Sequence, residues 1–127
     1  NIVRDLSEKG PYPADSPGFG IGIHAEADTA ITANVIENAP LYGINLGWGP
    51  YLRNVAASGN VIRKCGEGIA VTVADGPGAA VITGNVIEGA KRGAVMGHKW
   101  AEIVTGDLAV EGAEEYAHLT VAGNRVS

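Results

Sequence analysis

Side chains able to do chemistry are unevenly spread along this 127-residue chain. They gather in four stretches, each following a short Gly-containing apolar run: His24, Glu26 and Asp28; Trp48, Tyr51 and Arg53; Asp75; and His98, Lys99, Trp100, Glu102 and Asp107. Indole and phenol rings offer stacking surface to sugars, while carboxylates and cations meet hydroxyls or uronate groups. The set suits a polysaccharide, with an acidic polysaccharide as the expected partner. Trp48, Tyr51 and Trp100 are the candidates for holding it. Arg53, His98, Lys99, His24 and Asp75 are the candidates for acting on it, as a lyase, an epimerase or a hydrolase. A protein that binds, or only builds structure, is the other class these residues allow. Trp48 and Trp100 would then cap the apolar edges of turns. Arg53 and Lys99 would pair with Glu26, Asp75 or Glu102 as surface ion pairs of little energetic weight.

Other chemistries find no support. No HxH, HExxH or clustered-carboxylate spacing marks a metal site, and no cofactor is expected. Calcium is the one cation with a conceivable role, bridging a uronate through Glu26, Asp28 and Asp75. The single cysteine, Cys65, excludes an internal disulfide and a cysteine metal cluster. A net charge of −5 without a basic stripe argues against nucleic acid. No apolar run approaches the ~18 residues of a membrane span. The chain begins with Asn1, not Met, so an upstream segment is expected to have been removed.

The elements that must position these residues show themselves as a repeat. Asn34-Val35-Ile36, Asn60-Val61-Ile62 and Asn85-Val86-Ile87 align with one another, with Asn1-Ile2-Val3 before them and Asn124-Arg125-Val126 after. Between them recur Gly20-Ile21-Gly22-Ile23, Gly43-Ile44-Asn45-Leu46, Gly68-Ile69-Ala70-Val71 and Gly93-Ala94-Val95-Met96. Both marks share a period near 25 residues. Alternation such as Ile44/Leu46 and Ile69/Val71 reads as half-buried strand. Ile31, Ala57, Ile82 and Val121 precede each Asn by three residues and should also face inward, while Leu6, Ala39, Cys65 and Ala90 form a small apolar column five residues after. The 19 glycines imply recurrent tight turns. An inward Asn at each bend offers a carbonyl and an amide to turn backbone that would otherwise be buried without partners. Asn34, Asn60, Asn85 and Asn124 are therefore expected to be scaffold.

The repeat predicts an all-β chain: a right-handed, single-stranded parallel β-helix of about four to five coils of ~25 residues with an Asn ladder. It would be one domain over 1–127, part of a longer solenoid whose neighbouring coils are its partners. A Pro-rich insertion spans 9–19, and a long inserted loop spans 97–116.

Three runs carry a family resemblance: Gly20-Ile21-Gly22-Ile23 with Ala25-Glu26-Ala27-Asp28-Thr29; Gly47-Trp48-Gly49 with Tyr51-Leu52-Arg53; and Thr105-Gly106-Asp107-Leu108-Ala109. They resemble a family of twin-arginine-translocated bacterial repeat proteins in the pectin-lyase-like superfamily. The resemblance implies export in folded form to the periplasm or beyond. It implies no particular reaction.

Overall fold

The structure is a computed structural model that describes residues 1–7 and 19–127. The Pro-rich insertion, apart from Phe19, lies outside the described residues. More than half of what is described is strand, arranged in three sheets.

The first sheet holds β1 (Ile2–Arg4), β4 (Val35–Glu37), β7 (Val61–Arg63), β10 (Val86–Glu88) and β14 (Arg125–Val126), in that order. Its pairs are all parallel and stack like on like, Val35 on Val61 on Val86 and Ile36 on Ile62 on Ile87. Local backbone geometry keeps these strands short. The residue before each Asn has positive φ, at Ala33, Gly59, Gly84 and Gly123. So does the residue four places after it, at Asp5, Asn38, Lys64 and Gly89. Two left-handed bends thus bracket each strand and send the chain from one sheet to the next.

The second sheet runs β12 (Glu102–Asp107), β11 (Gly93–Lys99), β8 (Glu67–Thr72), β5 (Tyr42–Leu46) and β2 (Ile21–Ala25). The third runs β13 (Leu119–Ala122), β9 (Ala80–Thr83), β6 (Arg53–Ser58) and β3 (Ala27–Thr32). One buried cluster joins Ile36, Ile62 and Ile87 of the first sheet, Ile44, Ile69 and Val95 of the second, and Ile31, Ala57 and Ile82 of the third. Cys65 and Ala39 lie in it, with Leu6 and Ala90 packed against it.

The four Asn side chains form a continuous chain of hydrogen bonds. The backbone N–H and the Nδ2 of Asn34 both donate to Oδ1 of Asn60, each at 3.0 Å. Asn60 donates in the same way to Asn85, and Asn85 to Asn124. The Nδ2 of the last three also reaches a carbonyl one repeat back, Asn60 to Ile31, Asn85 to Ala57 and Asn124 to Ile82, while that of Asn34 reaches Thr32 in its own repeat. The ladder thereby pairs backbone and side-chain amides that a buried bend would otherwise strand.

The expectation of a right-handed, single-stranded parallel β-helix is corrected here. The strands lie in three mostly parallel sheets, and no sheet closes or winds into a solenoid. The parallel pattern also breaks within the chain. The stretch 97–116, expected as a loop, contains the end of β11, then β12 and the helix α1 (Leu108–Glu111). β12 turns back antiparallel on β11 through a tight hairpin pairing Lys99 with Glu102, and occupies the edge where a further parallel strand would add. Asp107 holds this departure together: its carboxylate accepts from the N–H groups of Ala94 and Val95 and caps α1 at Ala109. Leu108 and Ala113 then enter the core. A period and a pairing direction are properties of neighbouring strands, whereas closure is a property of all of them together.

Candidate functional site

β5, β8 and β11 end along one edge of the second sheet, and the segments that follow carry most of the side chains singled out above. After β5 the chain makes a tight turn closed by two backbone bonds between Trp48 and Tyr51, at 3.1 and 3.0 Å. The Thr72 hydroxyl, at the end of β8, donates to the Gly49 carbonyl at 2.6 Å and ties this turn to the next repeat. In the third repeat along, Trp100 sits in the β11–β12 turn with φ of +56°. Its ring lies against Gly49, where a Cβ would collide with it. Trp48 and Trp100 meet edge to face, ring centroids 5.6 Å apart at 76°. Trp100 remains 48% exposed and Tyr51 61%. All three aromatic candidates are thus on one edge.

Beside them is an open cleft of about 550 Å³ between the 73–77 turn, the β11–β12 hairpin and the segment before β13. Asp75 and Lys99 line it, with Glu115, Tyr116 and His118. The His118 Nε2 lies 3.0 Å from the Thr72 carbonyl. A carbonyl only accepts, so Nε2 carries a hydrogen and donates it. Tyr116 packs edge-on to the His118 ring.

The other candidates are engaged elsewhere. Arg53 is in an exposed ion pair with Asp28, Nη2 to Oδ2 at 2.5 Å, and its hydrogen bond holds the Asp28 carboxyl below the ordinary carboxylate value. His24 lies between Glu26, 3.2 Å from Nε2, and the Asn45 amide, 2.9 Å from Nδ1. The amide Nδ2 is a donor only, so the His24 hydrogen is on Nε2, facing Glu26. His98 is buried, with Nε2 2.5 Å from Glu67 Oε1, and its Nδ1 finds no partner among the described residues. Glu67, 1% exposed, also receives Arg92 at 3.3 Å. Tyr42 packs edge-on to His98, and burial, with the Glu67 charge beside it, pushes its phenol up to about 12. Glu26, Asp28 and Asp75 do not converge, and among the described residues no group of three or more His, Cys, Asp or Glu side chains is placed to hold a metal.

Several of these residues were legible as columns. Tyr42, Glu67 and Arg92 each immediately precede a Gly mark. A carboxylate between a phenol and a guanidinium in one repeat slot signals a buried polar group. His118 falls six residues before its Asn, in the slot of Asp28, Asn54 and Ala79. That mostly polar column marks the exposed start of the third sheet.

Comparison with family models, curated proteins and solved structures finds no match to this chain. Among the described residues no helix is long and apolar enough to cross a membrane.

Proposed function

We propose that this chain binds a polysaccharide along the edge bearing Trp48, Tyr51 and Trp100, and that it does so without catalysing a reaction. The observation that supports this reading is the backbone of Trp100. A bulky side chain in the left-handed region costs about 1–2 kcal/mol, and such outliers persist where a function needs them. Here the cost places a half-exposed indole against Trp48 and Gly49. Rings held this way present apolar faces at little further entropic cost, which is what stacking on sugars requires. Binding is favoured over catalysis because three of the five candidate reactive groups are already engaged, and the other two, Asp75 and Lys99, line a cleft open to water. Arg53 is held by Asp28, His24 by Glu26 and Asn45, and His98 by Glu67. The family resemblance adds the periplasm or cell exterior as the place of action, where such polymers occur.

The test is Trp100→Gly. Relief of the backbone should offset lost ring contact of about 0.5–1.5 kcal/mol, leaving stability within about 1 kcal/mol of the parent. Affinity for a bound glycan should fall about tenfold or more, equally at low and high salt, because stacking is not screened. Alginate, pectate, a neutral glucan and an amine-bearing glucan make a sufficient panel. Absence of binding to all four, or binding untouched by the substitution, would end this reading.

A further inference from the structure

We infer that Asp75 is a modification site: its side chain closes on the Gly76 amide and converts the turn at 73–77 to an isoaspartyl linkage. No other Asp in the chain, and no Asn, is followed by glycine. A side chain on the next residue crowds the approach to its own nitrogen, and glycine has none. The step needs only water. The Gly76 nitrogen attacks Cγ of Asp75, and the new N–Cγ bond closes a succinimide ring. The amide hydrogen leaves with the carboxyl hydroxyl as a water molecule. Water then reopens the ring at either carbonyl. Addition at Cγ restores aspartate. Addition at the α-carbonyl breaks the original peptide bond, leaves a free α-carboxylate and routes the main chain through Cβ and Cγ.

The fold leaves both reacting groups free to meet. Asp75 and Gly76 are exposed in a bend between β8 and β9. Gly76 has φ of +94°, a left-handed conformation that glycine adopts freely, and a Cβ built there would meet only Pro50, at 3.7 Å. Among the described residues no hydrogen bond or ion pair holds the Asp75 carboxylate, and the Gly76 N–H donates to no backbone carbonyl. The other described aspartates are held. Asp5 accepts from Asn38 Nδ2 at 2.8 Å, Asp28 is paired with Arg53, and Asp107 accepts from the N–H groups of Ala94, Val95 and Ala109. Each of these three precedes Leu or Thr. To close the same ring they must give up a partner and pass a side chain. The consequence of the change at Asp75 falls on the cleft, which it lines with Lys99, Tyr116 and His118. Isomerisation keeps the charge, shortens the stem that carries it and adds a carbon to the main chain of that wall.

The experiment incubates the protein at neutral pH and body temperature and maps its peptides by mass spectrometry with electron-transfer fragmentation, which tells isoaspartate from aspartate. Isoaspartate should accumulate at Asp75 before it is found at Asp5, Asp28 or Asp107, and a species lighter by one water should precede it. The rate in the native protein should lie within about fivefold of the rate in the chain unfolded by guanidinium, the factor that one net hydrogen bond imposes. Such a bound is what separates a turn that is free to react from one that the fold protects. Asp75→Glu, whose longer arm cannot close the same ring, should show neither product at that position. A native rate slower than this bound would overturn the inference. So would earlier isomerisation at Asp5, Asp28 or Asp107, or a product that persists in Asp75→Glu.

Discussion

Ala33 stands where the equivalent bends use Gly59, Gly84 and Gly123, and all four have φ between 60° and 67°. At the three glycines an added Cβ would meet nothing within 4 Å, so glycine is favoured there for its backbone freedom and not for space. Ala33→Gly should therefore stabilise the fold by about 0.5–1 kcal/mol, the relieved strain exceeding the entropy lost by glycine. A urea midpoint at or below the parent's would contradict this. Each neighbouring Asn matters more. Asn60 and Asn85 are buried and each bonds in both directions along the ladder. Asn60→Ala or Asn85→Ala leaves bend amides unpaired, for an expected loss of about 1–3 kcal/mol each, and parent-like midpoints for both would refute it. Cys65 is the bland member of its column: it is buried, its thiol donates to the Arg63 carbonyl, and burial pushes its pKa up. A thiol reagent should label it slowly in the native protein and rapidly in urea.

Between elements, two kinds of charge contact behave differently. On the first sheet Arg63 lies between Glu37 of β4 and Glu88 of β10, at 3.5 and 2.9 Å. Its hydrogen bond to Glu88 holds that carboxyl below the ordinary value of 4.5. A depressed carboxylate contributes stability that is complete above its unfolded value and is lost as pH falls through the folded one. The rung should therefore weaken only below about pH 4.5. Carbon-detected titration should place the Glu88 midpoint under the ordinary range and return it there in Arg63→Gln. On the second sheet the contact between Glu67 of β8 and His98 of β11 is buried. Glu67→Ala would strand the buried His98 and the Arg92 head, so the expected loss is about 3–5 kcal/mol. Arg53→Ala, which breaks a pair open to water, should stay within about 0.5 kcal/mol of the parent. Similar midpoints for these two variants would mean that Glu67 is not the buried hub it forms here.

At the scale of the molecule, three sheets share one core, and the same stacking that fills it lines up the turns along its edges. Trp48 and Trp100, 52 positions apart, touch because β5, β8 and β11 lie side by side and end together. The hairpin of β11 and β12 then carries Lys99 and Trp100 to that edge, and the segment after α1 brings Tyr116 and His118 to the far wall of the cleft.

The repeat, by itself, determined which side chains share a column. Strand pairing conserves sequence offset, so Val35, Val61 and Val86 had to align once the period was set, and so did the ladder of Asn34, Asn60, Asn85 and Asn124. It placed Cys65 among apolar neighbours for the same reason. Tertiary structure decided whatever depends on where the pattern stops. Nothing in the period foretold that β12 would reverse on β11, since that hairpin uses residues the repeat does not constrain. Nor could spacing reveal that His98 faces Glu67 in the interior while His118 lines the cleft. A histidine's role follows from what lies across from it, and that is set by side-chain packing between columns, which a one-dimensional period does not encode.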